Sequence, residues 1–164
     1  MKIFRPNGLN SNRAVIVSRP RSGDELKTDL LNLRAEGVDV LVSALGKEEE
    51  EMLGLAEESQ IAHELGIEFI SIPITDMSAP EEIEQKLKLL VSKLEAGKVV
   101  GAHCRMSAGR APTIVSALYL LLGNSLNETL DALSNARGFR IPETQSQFMW
   151  LKSIATSNST KQSL

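Results

Sequence analysis

The segment His103-Cys104-Arg105-Met106-Ser107-Ala108-Gly109-Arg110 carries the residue types and the spacing for nucleophilic chemistry on an oxyanion. Cys104 is the one cysteine of the chain, and the histidines are His63 and His103. No internal disulfide and no thiol-rich zinc site can be assembled from that set, so the thiol is either packing or a reagent. Its surroundings favour the reagent. A loop of five residues between Cys104 and Arg110 curls so that successive N–H groups from Arg105 to Arg110 converge on one point, and a helix starting at Arg110 adds the partial positive charge of its N-terminus. Ser107, Ala108 and Gly109 are small enough to let backbone approach a ligand, and Arg110 offers a two-pronged guanidinium to two oxygens of a tetrahedral phosphate. The donors that hold a phosphate dianion also stabilise a thiolate, which makes Cys104 the nucleophile. His103 is expected to hydrogen-bond backbone near the loop and support that nucleophile. Arg105 and Met106 are expected on the rim.

Such a loop works only at the end of a rigid strand, and the chain supplies the scaffold. Residues 14–18 (AVIVS) form a β-branched run closed by SRPRSG, a strand and a turn. Leu26, Leu30, Leu31 and Leu33 recur at helical spacing until Gly37. Residues 39–45 (DVLVSAL) read as a strand. Residues 48–65 read as one helix, with Met52, Leu53, Leu55, Ala56, Ile61, Ala62 and Leu65 on its inner stripe and Gly66 ending it. A strand over 68–73 follows. Ser78 and Glu81 then have capping-box spacing with Pro80 in the first turn, which predicts a helix from about residue 79 through Ile83, Leu87, Leu89, Leu90 and Leu94 to Gly97. Residues 98–102 (KVVGA) make the strand that enters the cysteine loop, and helices follow over 110–122, 127–136 and 144–154.

Strands alternating with helices call for an α/β fold, a central largely parallel sheet of about four to five strands flanked by helices. The chain divides into an N-terminal segment (1–13), a catalytic domain (14–156) and a polar, flexible tail (157–164). In such sheets ligands collect beyond the carboxyl ends of the strands, where the cysteine loop lies.

Composition narrows the function classes. The 164 residues are 42% hydrophobic and 24% charged, the mixture of one soluble domain. The longest apolar stretch, 114–122, contains Ser116 and falls short of the roughly 20 residues of a membrane span. The opening MKIFRPNGLNSNR has no apolar core of a secretion signal, so the expected setting is the cytoplasm with no membrane partner. A net charge of −3 has the wrong sign for broad nucleic-acid binding. The acidic run over 47–68 and the basic excess over 1–34 read as solvated faces.

Cys104 and Arg110 with five residues between them, and His103 in front, resemble the signature loop of the cysteine-dependent protein tyrosine phosphatases, in particular the small dual-specificity-like members. IPITDMSAP is similar to the context in which those proteins carry a general acid, and the resemblance makes Asp76 that residue. A residue-level reason agrees with it: expelling an alkoxide or phenoxide from phosphorus needs a proton donor opposite the thiolate, and a loop on the sheet's carboxyl edge can reach. ARGFRIPETQSQFMW resembles the segment in which small phosphatases carry a proline, an acid-threonine pair and a glutamine. By that pattern Gln147 orients the hydrolytic water, with Gln145 as its competitor. SRPRSGDEL and GVDVLVSAL also resemble the opening of such domains, so the likeness covers most of residues 14–154.

The resemblance implies a (phosphotyrosine protein phosphatase)-like fold and hydrolysis of phosphate monoesters through a phosphocysteine. Phosphotyrosine comes first among the substrates, with phosphoserine and phosphothreonine as further candidates. It also implies a phosphorylated protein or small phosphomonoester as partner, and phosphate, sulfate or vanadate as loop ligands, with no metal and no organic cofactor. Two readings compete with it: another thiolate enzyme such as a sulfurtransferase or arsenate reductase, and a phosphate-binding module without turnover. The six-residue advance to Arg110 favours phosphate over persulfide, and the single cysteine argues against thiol-relayed arsenate reduction. The family usually has Ser or Thr directly after the arginine, where its hydroxyl bonds the thiolate; this chain has Ala111, and Ser107 stands where glycine is common. Losing one thiolate hydrogen bond predicts a second step slower by roughly tenfold, for about 1–1.5 kcal/mol. Ser107 and Thr113 are the hydroxyls that remain to compensate. His63 reads as a cation at a helix C-terminus, and Arg137 and Arg140 as surface cations near the site.

Overall fold

Five strands hydrogen-bond in the order β1-β2-β5-β3-β4 in the computed structural model, which describes residues 1–162. They are β1 (Ile3–Phe4), β2 (Ala14–Val17), β3 (Val40–Ser43), β4 (Glu68–Ser71) and β5 (Val100–His103). All pairings are parallel except β1 with β2. The helices are α1 (Asp24–Ala35), α2 (Lys47–Met52), α3 (Glu58–Glu64), α4 (Glu84–Glu95), α5 (Arg110–Leu121), α6 (Leu126–Arg137) and α7 (Gln145–Gln162).

The sheet is covered on both faces, which is why β2, β3 and β5 are buried at every position. Alternation sorts their side chains. Ala14, Ile16, Val42, Ala102 and Cys104 join the core beneath α4, α5 and α7, whereas Val15, Val17 and Leu41 pack with Leu26, Leu30 and Leu33 of α1. Gly101 marks the tightest point: a Cβ there would stand 3.1 Å from Val17 Cγ1 and 3.3 Å from Val38 Cγ1. Tyr119 ties α5 to the sheet by donating to Ala14 O at 2.8 Å.

Two sequence expectations need correction, and one strand was not foreseen. The helix read over 48–65 is two, α2 and α3, because Gly54 turns the chain in the left-handed region (φ 69°) so that Leu55 reaches the core; Met52, expected on the inner stripe, is 70% exposed. The capping box at Ser78 does not form. Helix α4 starts at Glu84, since Glu82 adopts φ 51° and interrupts any helix begun at 79, and Ser78 O accepts from Gln147 Nε2 at 3.2 Å. Strand β1 had no signal, because two residues are too few to show alternation.

Helix α7 continues into the segment read as a tail: Asn158 Nδ2 donates to Leu120 O at 2.8 Å, while residues 163–164 lie outside the described residues. Among the described residues no helix is long and apolar enough to cross a membrane.

Candidate active site

Strand β5 ends at His103 and α5 begins at Arg110, so the six residues between them turn at the carboxyl edge of the sheet, flanked by β2 and β3. Both neighbours fasten this turn. Ala44 N donates to His103 O at 2.9 Å, and Ser107 Oγ donates to Val17 O at 2.7 Å. Ser107 holds φ 52°, a left-handed conformation that costs a side-chain-bearing residue about 1 kcal/mol, which accounts for the preference for glycine there. The hydroxyl's bond to β2 offsets that cost.

A cleft of about 70 Å³ is lined by Asp76, Met77, Cys104, Arg105, Met106, Ala108, Gly109, Arg110 and Glu143. Cys104 is 3% exposed; Arg105 and Met106 are exposed, as expected of a rim. The Arg110 guanidinium is 2% exposed and held by a fork: Nη1 donates to Glu49 Oε2 at 2.7 Å and Nη2 to Glu49 Oε1 at 3.0 Å. Nη1 also donates to Ile74 O at 3.1 Å, and Nη2 lies 3.3 Å from Asp76 Oδ1. Burial works against the charge on Arg110, but the hydrogen bonds and charge of Glu49, together with the charges of Cys104 and Asp76, outweigh it and raise its pKa further. The same bonds, against a smaller opposing effect of burial, hold Glu49 below the usual carboxylate range.

The structure brings together Cys104, the 105–110 loop, Arg110 and Asp76. Asp76 is 60% exposed on a loop whose next residue, Met77, has φ 64°. Gln147 is fully buried against the loop: its Nε2 bonds Ser78 O, its Oε1 accepts from Thr144 N at 3.1 Å, and a Cβ on Gly109 would stand 2.9 Å from its Nε2 and 2.8 Å from Glu143 Oε2. Gly109 has an ordinary φ of −112°, so close approach rather than turn geometry demands glycine. Gln145, the competitor, is exposed. Neither spare hydroxyl is directed to the thiol, since Ser107 bonds Val17 O and Thr113 Oγ1 donates to Gly109 O at 2.8 Å.

His103 departs from expectation. Its partner is a carboxylate rather than backbone: His103 Nε2 stands 2.8 Å from Glu58 Oε1, both groups buried. The strand register places His103 beside Ser43, on the face that α3 covers, and Glu58 is the first residue of α3. Arg137, read as a surface cation, donates from Nε to Ser107 O at 2.9 Å, whereas Arg140 is exposed. Sequence reasoning also missed Glu49, hidden in an acidic run that looks solvated. Its position just past the end of a buried strand adjacent to β5 was the available signal.

Comparisons with known proteins fit this geometry. The family model described as polymorphic toxin system, DSP-PTPase phosphatase matches residues 15–124. Among solved structures, Tk-PTP in its active form is 25% identical, with 89% of this chain and 93% of that chain covered and a TM-score of 0.74. Kinase associated phosphatase, carrying serine at its catalytic cysteine, is 16% identical over 96% of both chains with a TM-score of 0.82. PTPMT1 in complex with PI(5)P is 18% identical over 94% of this chain and 97% of that one, with a TM-score of 0.76. The last two, at such identities, speak for the fold. No curated protein matches the chain in sequence.

Proposed function

This chain belongs to the polymorphic toxin system DSP-PTPase phosphatase family, and on that premise we propose that Cys104 is the nucleophile of a two-step phosphomonoester hydrolysis. The enzyme is a cysteine-dependent phosphatase of the protein tyrosine and dual-specificity type. In the first step the Cys104 thiolate attacks phosphorus, the S–P bond forms as the ester P–O bond breaks, and Asp76 gives its proton to the departing oxygen. The loop amides and the Arg110 N–H groups not given to Glu49 and Ile74, those on Nε and Nη2, carry the charge on the equatorial oxygens. In the second step water attacks phosphocysteine, Asp76 takes its proton, and inorganic phosphate and the thiolate are released. Gln147 Nε2 has a second N–H beyond the one given to Ser78 O, which is the group available to orient that water.

One observation carries the reading: a buried guanidinium, gripped by Glu49 and 3.3 Å from Asp76, lines the same cleft as Cys104. That arrangement supports anion binding beside a nucleophile and a proton donor at once. The substrates we propose are phosphorylated proteins, phosphotyrosine first, and the likeness to PTPMT1 adds phosphoinositides to the screen. Steady-state hydrolysis of an aryl phosphate is the direct test. Cys104→Ser and Arg110→Ala are expected to lower kcat/KM by at least about 10³-fold, vanadate to compete, and Asp76→Asn to slow chiefly substrates with poor leaving groups. Turnover surviving in Cys104→Ser would refute the mechanism, and phosphopeptide binding without hydrolysis by the wild type would favour a binding module.

A further inference from the structure

We infer that Arg137 is a positioning residue that holds the phosphate loop in its anion-binding form from the outside, and that β1 exists in part to hold Arg137. This rests on the phosphatase reading of the same loop. Arg137 is the last residue of α6, and its guanidinium reaches the back of the turn with two bonds: Nε to Ser107 O at 2.9 Å and Nη2 to Met106 O at 3.0 Å. In a planar trans peptide the C=O and N–H point in opposite directions. Drawing the carbonyls of Met106 and Ser107 outward therefore turns the N–H groups of Ser107 and Ala108 the other way, toward the cleft.

The loop needs such a hold. Ser107 sits at φ 52°, a conformation that a residue with a side chain leaves readily unless its neighbours fix it. Its hydroxyl bond to Val17 O anchors the side chain but leaves the two carbonyls free to turn. The Arg137 fork fixes both carbonyls at once, with two N–H donors held in one plane by the guanidinium, whereas the donors of an ammonium rotate about a single nitrogen and fix neither direction.

Arg137 is itself fixed. The Phe4 and Phe139 rings lie 4.3 Å and 4.4 Å from its guanidinium carbon, one supplied by β1 and the other returned over the guanidinium by the left-handed turn at Gly138. A solvated surface cation has no use for two ring faces and two backbone acceptors. The edge strand β1, too short to add much to the sheet, acquires a purpose by placing Phe4.

The test compares the wild type with Arg137→Lys, Arg137→Met and Phe139→Leu. It measures kcat and KM for an aryl phosphate and, separately, affinity for inorganic phosphate by calorimetry. Arg137→Lys and Arg137→Met are both expected to weaken phosphate binding at least tenfold and to lower kcat/KM by about 30-fold or more, with millimolar guanidinium restoring part of the loss in a smaller Arg137→Ala variant. Arg137→Lys within twofold of wild type would show that charge alone matters, and Arg137→Met within twofold that the residue is a surface cation; either overturns the inference. Should the Arg137 variants fail to fold, Phe139→Leu at an exposed position decides it, with a loss of at least threefold in phosphate affinity expected and no change counting against. A wild type that binds phosphate without hydrolysing it would defeat the functional reading while leaving the binding comparison decisive, and one that does neither would defeat both.

Discussion

The turns after β3 and β5 leave neighbouring parallel strands at one edge of the sheet, with Ser43 beside His103, and each leads into a helix. They are finished in opposite ways. The turn into α2 closes on itself: Glu49 reaches back to accept from Gly46 N at 3.1 Å, and Glu48, Glu49 and Glu50 neutralise the positive end of the helix. The turn into α5 has no acid in its first helical turn, no side-chain cap at Gly109, and small residues where its neighbour has glutamates. A helix start satisfied by its own carboxylate offers nothing to an external anion, whereas one left uncapped beside a buried cysteine offers backbone donors and field together. The closed turn also serves the open one, since the carboxylate that caps α2 is the one that grips Arg110.

The largest expected break in that contrast is Gly109→Ala. The added methyl would meet Glu143 Oε2 at 2.8 Å and Gln147 Nε2 at 2.9 Å. Glu143 is exposed and can swing away, but Gln147 is fully buried and cannot, so the loop must shift. A displacement near 1 Å at a reacting centre costs roughly 100-fold in kcat/KM, and Glu143→Ala in the same background is expected to recover little of it. Kinetics of the single and double variants check this; full recovery in the double variant would mean that Gln147 yields.

Glu49→Gln tests the service that the closed turn performs. The fork loses its charge and one acceptor, and kcat/KM should fall by about tenfold, equivalent to about 1.4 kcal/mol. An unchanged value would mean that Ile74 O alone orients Arg110. A pH dependence accompanies it. Because the folded state holds Glu49 below the usual carboxylate range, its contribution to stability is complete above the unfolded carboxyl value of about 4.3 and is lost as pH falls through the lowered folded value. The wild-type Tm should therefore drop more steeply in acid than that of Glu49→Gln. Asp29, held low by hydrogen bonds from Arg21, acts in the same direction in both proteins and cancels from the comparison.

The open turn was legible in the sequence and the closed one was not, for a physical reason. Cys104, the small residues and Arg110 stand at a local spacing, which a chain displays directly, and Asp76 came from the family resemblance of IPITDMSAP, with its loop at the sheet's carboxyl edge as an agreeing reason. Glu49, Glu58 and Arg137 act across the fold, 61, 45 and 30 or more residues from their partners, and in the chain each looks like an ordinary surface charge. The strand-helix alternation predicted the parallel sheet, but the break at Gly54 and the late start of α4 depend on left-handed residues at 54 and 82 that hydrophobic periodicity does not register.

Ala111→Ser gives the smallest effect and the finest test of how far the open turn is finished. Ala111 is fully buried at the start of α5, where the family resemblance would put a hydroxyl on the thiolate, and the two alternative hydroxyls are engaged with Val17 O and Gly109 O. Breakdown of phosphocysteine should then be the slow step in the wild type, so rapid mixing with an aryl phosphate should release a burst of phenol before the steady rate. In Ala111→Ser the burst should shrink and turnover rise by a few-fold, up to about tenfold for one hydrogen bond of about 1–1.5 kcal/mol. Stability reports where the new hydroxyl goes. A buried hydroxyl without a partner costs about 1–3 kcal/mol, so a retained Tm together with faster turnover places it on the sulfur, whereas a lowered Tm with no gain in rate means that α5 presents position 111 to the core and the loop completes its chemistry with amides and Arg110 alone.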